Sequence, residues 1–377
     1  MALSGHEEPL LIDEWQSVPE VLAAVKRAVD AEPRPGRFLI TGSVRGDVES
    51  PSWPGTGRLI RIAMGPLTVA ETTGTLPATP LLDRLVDGPE ALLIAPTSSM
   101  NLEDYARLTL RGGFPEPVLR LPESERAVWL DSYIEQLLNR DLASLAGRRD
   151  PQRMRSFLEA YSLNTAGVVD QRTLHSAAGV AKATGEAYEQ LLRSLLVVES
   201  IPAWWTNRLK RLMRTPKRYV IDTSLALAVL RIALPGLMRD GDLLGRMLDT
   251  FVIAQLRSEL PLCTSRPRLH HVRQEQGRHE VDLLVEYGGG RVFGIEVKAS
   301  SAPTAHDARH LEWLRDQLGD RFLGGAVLHT GSRAFPLSSR IVASPVASLW
   351  CHEMAPVLDT LPIRDVKQPP DSHDGAR

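Results

Sequence analysis

Apolar positions fall into three regimes along the chain. Near the amino terminus, Pro9-Leu10-Leu11-Ile12-Asp13 and Arg37-Phe38-Leu39-Ile40-Thr41 are short apolar runs without alternation. Runs of this kind read as buried strands of a parallel sheet. Between them, Val21, Leu22, Val25 and Val29 recur at helical spacing over 18–31, one apolar stripe of an amphipathic helix. Strand, helix and strand in this order predict an α/β unit with a parallel sheet. A Gly-, Ser- and Pro-rich loop then runs through Gly57.

From Asn101 to about Gly167 the period becomes helical. The stretch 123–146 carries Trp129, Tyr133, Leu137, Leu138, Leu142 and Leu145, and 152–163 carries a second helix. A compact unit follows, with helices over 172–178 and 184–196 around a turn at Gly179-Val180, then strand-like pieces at 196–201 and 218–222. Helix, turn, helix and hairpin together predict a winged helix-turn-helix. The last regime reads as a helix (243–260), three strands (268–273, 280–287, 291–298), a helix (304–318) and a strand (322–328). Gly288-Gly289-Gly290 is the turn of a hairpin between the second and third of these strands. Beyond Ile363, Pro369-Pro370 and a scarcity of apolar residues predict a disordered tail. The expected division is 1–98, 99–240, 241–362 and a tail of 363–377.

Composition narrows the function classes. The chain has 377 residues with 44 Lys+Arg against 46 Asp+Glu, which excludes a wholly basic nucleic-acid coat and a polyanionic tail protein. A hydrophobic content of 43% with 24% charged residues is that of a folded chain. Two cysteines, Cys263 and Cys351, cannot build a disulfide framework or a four-thiolate zinc site. The start MALSGHEEP lacks the features of a secretion signal. The best apolar stretch, 224–238, is interrupted by Arg231 and Pro235 and is too short to span a bilayer. A cytoplasmic protein with no membrane partner is expected. Only six of the 44 basic residues are lysine, at 26, 182, 210, 217, 298 and 367, so a site that requires an ammonium has few places to be.

Three groups of residues carry candidate chemistry. Leu10-Leu11-Ile12 delivers Asp13 and Glu14 at a strand end. In phosphate-transfer ATPases the first such acid holds Mg²⁺ and the second orients the attacking water. Thr41 and Ser43 close the next strand, within expected reach of a γ-phosphate, and Arg58 and Arg61 follow as candidates to neutralise transition-state charge. A Gly-rich phosphate loop ending in Gly-Lys-Ser/Thr should precede the first strand. None of the six lysines follows a glycine and precedes Ser or Thr, and without that amide cradle polyphosphate affinity should be poor.

The second group is His279-Glu280-Val281-Asp282 with Gly294-Ile295-Glu296-Val297-Lys298. Strand alternation places Glu280 with Asp282, and Glu296 with Lys298, on common faces, while Ile295 and Val297 point to a core. Carboxylates and a lysine on adjacent strands fit a metal-dependent phosphodiesterase centre, in which Asp282 and Glu296 hold Mg²⁺ and Lys298 positions the nucleophilic water. A charge-paired solvated sheet face fits the same spacing. Glu259, on the preceding helix, is a candidate further carboxylate. The third group is basic: Arg208, Lys210, Arg211, Arg214, Lys217 and Arg218 lie within eleven residues beside Trp204 and Trp205. A cationic wing of this kind suits DNA phosphates. The expected recognition helix, with Glu186 and Glu189 opposing Arg193, predicts no sequence-specific readout.

LLIDEWQSVPEVLAAVKRAVD, FLITGS and GRLIRIAMGPLTVAE resemble the Walker B, sensor and following segments of a prokaryotic AAA+ ATPase-like family. Its members carry a carboxyl-terminal domain of unknown function, number 4143. YIEQLLNRDL, TLHSAAGVAKATGEAYEQLLRSLLVV, KRLMRTPKRYVIDTSLA, HEVDLLVE and GIEVKAS match that second part. The resemblance implies a partial P-loop ATPase-like sheet, a winged helix, and a PD-(D/E)xK nuclease-like α/β domain. It implies ATP and Mg²⁺ as cofactors, and AAA+ relatives often assemble into homo-oligomeric rings. Asp13 and Glu14 match Walker B, Thr41 or Ser43 the sensor, Arg58 and Arg61 the basic segment, and Asp282, Glu296 and Lys298 the nuclease-like triad. Met1 falls inside the family pattern, so the phosphate-loop strand and helix are expected to be missing from this chain, either from a late start or from truncation. The sheet left behind would expose an edge.

Overall fold

A computed structural model describes residues 8–42, 57–93, 97–138, 150–204, 215–274 and 278–350. Ser43, Arg208, Lys210, Arg211, Arg214 and Trp205, and the tail from Cys351, lie outside the described residues.

The first unit is small. Strands β1 (Leu10–Ile12) and β2 (Phe38–Ile40) pair in parallel, with Leu10 opposite Phe38 and Ile12 opposite Ile40. Helix α1 (Val21–Ala31) lays Val21, Leu22 and Val25 against Ile12, Trp15, Phe38 and Ile40. The two-residue period of a strand sends Leu11 and Leu39 to the opposite face, where they are 59% and 55% exposed.

The middle of the chain is helical. Its principal elements are α2 (Val69–Thr73), α3 (Leu81–Arg84), α4 (Leu102–Arg111), α5 (Pro115–Leu119), α6 (Glu123–Gln136) and α7 (Pro151–Leu163). Helix α4 starts at a reciprocal cap, in which Asn101 accepts from the Asp104 amide and Asp104 accepts from the Asn101 amide, satisfying donors that the first turn leaves free. Helices α8 (Gln171–Ala177) and α9 (Lys182–Ser194) meet closely because Gly185 has no Cβ; one placed there would lie 2.2 Å from the His175 ring. The hairpin β3 (Val198–Ile201) and β4 (Lys217–Val220) follows, antiparallel, with Val198 opposite Val220. Two helices and a hairpin thus lie close to the expected positions. Asp222 caps the next helix, α10 (Thr223–Leu230), and also accepts from the Gly113 amide, so one buried carboxylate ties α10 to the α4–α5 turn. Phe157, Tyr161, Leu192, Leu225 and Met247 lie in the core of this region.

After α11 (Leu234–Arg239), the long helix α12 (Gly241–Glu259) leads into a six-stranded sheet. Its strands are β5 (Arg268–Gln274), β6 (His279–Glu286), β7 (Val292–Lys298), β8 (Phe322–His329), β9 (Phe335–Ser338) and β10 (Ile341–Pro345), in the order β5-β6-β7-β8-β10-β9. β5, β6 and β7 are antiparallel; β7, β8 and β10 are parallel; β9 returns antiparallel to β10. Helix α13 (Arg309–Leu318) connects β7 to β8 and covers one face through Leu311 and Leu314. The other face packs on α12 through Leu283, Ile295 and Phe251. Leu81, Leu82, Leu85 and Leu92 join this second core, so residues placed by sequence beside β1 and β2 pack on the carboxyl-terminal sheet. Strands β9 and β10 were not expected from the apolar pattern.

The sheet edge at β5 is met at one point by the chain leaving β3. Ala203 bridges His271, the Trp204 amide donates to the His271 carbonyl at 2.7 Å, and the His271 amide donates to the Pro202 carbonyl at 3.1 Å. Trp204 is buried, and its indole N–H donates to Glu286 at 3.1 Å. This bridge ties the chain leaving β3 to β5 and so holds the β3–β4 hairpin against the sheet.

Candidate functional site

At the amino-terminal unit, parallel pairing brings the ends of β1 and β2 together. The Thr41 hydroxyl donates to Asp13 Oδ1, as does the Glu14 amide at 3.0 Å. The Thr41 amide donates to the Ile12 carbonyl at 2.9 Å. Glu14 has a left-handed backbone, with φ 49°, and accepts from the Gln16 side-chain amide at 2.6 Å. Asp13, Glu14 and Thr41 are all exposed at the carboxyl end of parallel strands, the side on which open α/β sheets bind ligands. The Arg58 guanidinium pairs with Asp30 on α1 at 2.6 Å. Arg61 is exposed.

The second site is buried. Asp282 on β6 and Glu296 and Lys298 on β7 come together, as the alternation of those strands requires. Lys298 Nζ donates to Glu296 Oε2 at 2.8 Å, and the Val297 amide donates to Asp282 Oδ2 at 3.1 Å. Two residues that spacing did not bring here complete the cluster. Asp249 enters from the middle of α12, and Lys217 enters from β4. Lys217 Nζ lies 2.5 Å from Asp249 Oδ2 and 3.1 Å from Asp282 Oδ1, and also donates to the Asp282 carbonyl at 3.3 Å. The Tyr219 hydroxyl donates to Asp249 Oδ1 at 3.3 Å.

Burial and charge set the protonation of this cluster. Lys217 is 2% exposed. Burial opposes its charge, but Asp249 and Asp282 outweigh burial and hold the ammonium well above its ordinary range. Asp249 is pushed up to about 6, because burial there outweighs Lys217. Burial also opposes ionisation of Asp282, yet Lys217, Lys298 and the Val297 amide bring it down to about 2. Glu296, 3% exposed, is held well above the usual carboxylate range by burial and by the charge on Asp282. Its second oxygen, Oε1, is buried and has no hydrogen-bond partner.

Three expectations are corrected here. Lys217 and Arg218 are not on a solvent-facing cationic wing: Arg218 is also 2% exposed, pairs with Glu189 at 3.5 Å and donates to the Val169 carbonyl. Trp204 is likewise an internal anchor. Glu259 does not reach the cluster; it accepts from the Leu82 amide at 3.0 Å and caps α3. Asp249, ten residues earlier, occupies that place. The signal for Asp249 was present, as an acid inside the apolar run Met247-Leu248-Asp249-Thr250-Phe251-Val252, where burial requires a partner.

Mg²⁺ was expected at Asp13, Asp282 and Glu296. Among the described residues, no group of three or more His, Cys, Asp or Glu side chains is arranged to hold a metal ion. At Asp282 the reason is visible: the oxygen that would face a cation shared with Asp249 faces the Lys217 ammonium. As arranged, Asp249, Asp282 and Glu296 do not fit a metal. Among the described residues no helix is long and apolar enough to cross a membrane.

Comparison with known proteins agrees with the order of the regions. Residues 1–73 match an AAA domain, 102–235 a domain of unknown function (DUF8612), and 244–349 a domain of unknown function (DUF4143). The uncharacterized protein Rv2008c of Mycobacterium tuberculosis is 31% identical over 347 residues, spanning 92% of this chain and 70% of that protein. The chain belongs to this family of AAA-domain proteins with a DUF4143 region. The uncharacterized protein Mb2031c of Mycobacterium bovis is similar to the same extent, 31% over 347 residues. No solved structure gives a significant match. Membership makes this an ATPase-like protein, and the AAA domain implies nucleotide binding.

Proposed function

We propose that Asp13, Glu14 and Thr41 form the metal- and γ-phosphate-facing side of an ATP site. The observation that carries this reading is the hydrogen bond from Thr41 to Asp13 across the carboxyl ends of two parallel strands. In such a site Asp13 would hold Mg²⁺ and Glu14 would orient water. Gln16 holds one oxygen of Glu14, and a carboxylate can accept from water while that hydrogen bond is kept. When bound, Mg²⁺ would bridge phosphate oxygens and offset their charge. This chain's own part is to fix the Asp13 carboxylate through the Thr41 hydroxyl and the Glu14 amide. No lysine of the sequence carries the phosphate-loop signature, so the affinity expected of these residues is weak.

Calorimetric titration with ATP, with and without Mg²⁺, tests the assignment. Weak, Mg²⁺-dependent binding that disappears in Asp13→Ala and in Thr41→Val is the expected result. Binding that neither substitution alters would overturn it.

A second reading, a Mg²⁺-dependent nuclease acting through Asp282, Glu296 and Lys298, has only their meeting on β6 and β7 behind it, with no group of carboxylates among the described residues arranged for a metal. It is the weaker one, because the Lys217 ammonium stands between Asp282 and Asp249. A DNA-contacting role now rests on Arg208, Lys210, Arg211 and Arg214 alone, since the other two cations of that segment are buried.

A further inference from the structure

Positive charge is left unmatched at the turn between α4 and α5. Arg111 ends α4 and Phe114 precedes α5, with Gly112 and Gly113 between them. Neither glycine has room for a side chain. A Cβ on Gly112, where φ is 65°, would lie 2.2 Å from the Ser224 hydroxyl, and one on Gly113 would lie 2.3 Å from the Leu67 carbonyl oxygen. The Gly113 amide donates to Asp222 and its carbonyl accepts from the Leu67 amide, each at 2.7 Å. A turn held on both sides fixes the backbone on which Arg111 and Phe114 stand.

The Arg111 side chain is half-buried, and its Nε is buried with no hydrogen-bond partner. Among the described residues no carboxylate pairs with it; Glu116 is engaged by Arg120 at 3.2 Å. The charge that acts on Arg111 is a like one: burial, and then Arg126 on α6, lower its pKa. A guanidinium stays ionised regardless. Arg126 is anchored by its own Nε, which donates to the Pro117 and Leu121 carbonyls at 3.0 and 3.3 Å. The carboxyl end of α4 offers only partial negative charge. Two neighbouring guanidinium groups, one of them partly desolvated, favour an oxyanion beside them.

An aromatic surface adjoins these cations. Trp129 follows Arg126 by one turn of α6, and Tyr133 follows Trp129 by another. Their rings stack with centroids 5.4 Å apart, and Phe114 packs on them at 5.6 and 5.1 Å. All three rings are half-buried, while Leu119 and Val128 on the same helices are 53% and 70% exposed. Arginine, tryptophan and tyrosine are the residues in which protein interfaces concentrate binding energy. The surroundings discriminate among anions. Helix α6 also exposes Glu123, Glu125, Asp131 and Glu135, which repel a polyanion such as nucleic acid, and that ligand needs a run of cations. A lone carboxylate among apolar side chains suits two cations and a set of rings.

We infer that the corner formed by α4, α5 and α6 is a docking surface for an acidic segment of another protein. A carboxylate of that segment sits against Arg111 and Arg126, and a neighbouring apolar side chain rests on Phe114, Trp129 and Tyr133. The surface is independent of the strand ends at β1 and β2.

Nuclear magnetic resonance of the full chain reads this surface through the Trp129 indole N–H, identified by its loss in Trp129→Phe. A blocked pentapeptide of alternating leucine and glutamate should shift that signal saturably, and glutamine in place of glutamate should abolish the shift. Arg111→Gln should weaken the glutamate peptide by about tenfold or more, as loss of a hydrogen bond to a charged group does. The inference falls if the parent does not bind the glutamate peptide, if the glutamine peptide binds as well, or if Arg111→Gln binds unchanged. Oligothymidylate that shifts the same signal, and loses its effect in Arg111→Gln, would assign the surface to nucleic acid and overturn the inference too. Should Arg111→Gln not fold, the two peptides compared on the parent decide alone.

Discussion

Two regions of this chain present acids at strand ends, and they solve the problem of charge in opposite ways. At β1 and β2 the Asp13 carboxylate is exposed and is oriented by a hydroxyl and an amide. Water does most of the work of stabilising it, so the group remains available to a ligand. Around α12, β6 and β7 the carboxylates of Asp249, Asp282 and Glu296 are largely buried, and lysines of this chain pair with them. The first arrangement keeps binding capacity at almost no cost to stability. The second ties charge to the fold itself, because loss of one partner leaves the others buried and uncompensated.

The largest test of this contrast is Lys217→Met. Leaving Asp249 and Asp282 without their cation should lower unfolding free energy by about 3–5 kcal/mol, read from urea denaturation at neutral pH. A loss below about 1 kcal/mol would mean that the buried cluster behaves like a surface pair and that the contrast fails.

The two sheets should differ in their apolar residues as well. Ile295, 1% exposed in the core under β7, should cost about 3 kcal/mol as Ile295→Ala. Leu39, 55% exposed on the open face of β2, should cost less than about 0.5 kcal/mol as Leu39→Ala. Similar losses would show that the open face of β2 is covered in solution.

A third test uses pH. His271, stitched against the hairpin, is brought down to about 4 by burial first and then by the Lys217 charge. Because its folded value lies below the unfolded 6.5, the unfolded chain binds the proton more readily. Stability present above pH 6.5 is therefore lost as pH falls toward 4, by about 3 kcal/mol over that window. Asp249 acts in the opposite sense: its folded value of about 6 lies above 3.8, so it favours the folded state as pH falls through 6. The comparison that isolates His271 is the stability of the parent minus that of His271→Asn across this range. A difference independent of pH would refute the assignment.

The smallest expected effects belong to the exposed acids. Asp13→Ala and Arg58→Ala should leave the melting temperature unchanged within error in the absence of nucleotide, since exposed pairs contribute little. Of the two, only Asp13→Ala should alter Mg-ATP binding, because Arg58 pairs with Asp30. A substantial loss of stability in Asp13→Ala would place it among structural carboxylates and erase the distinction between the regions.

Much of the fold was legible in local pattern. The strand–helix–strand start, the two helices about Gly179 with their hairpin, and the helix followed by β5, β6 and β7 all stand where apolar periodicity placed them. β9 and β10 were not, because Phe335–Ser338 and Ile341–Pro345 are short, flank a tight turn, and become strands by pairing with β8 and each other. Local preference is a weak guide for strands whose stability comes from neighbours.

The sites divide in the same way. Sequence alone placed Asp13 with Thr41, and Asp282 with Glu296 and Lys298, because each set lies at the same end or on the same face of adjacent strands, and a period of two settles the face. It also marked Lys217 as one of six lysines, and as part of a basic run. Only tertiary structure decided that Lys217 turns inward, that Asp249 rather than Glu259 joins the carboxylates, and that Arg58 goes to Asp30. Those outcomes depend on how α12, the β3–β4 hairpin and the sheet pack, and on the electrostatic requirement that buried charge find a partner wherever the chain supplies one. Residue spacing carries no record of burial, and burial is what converts a run of cations into a surface for phosphate or a counter-ion within a core.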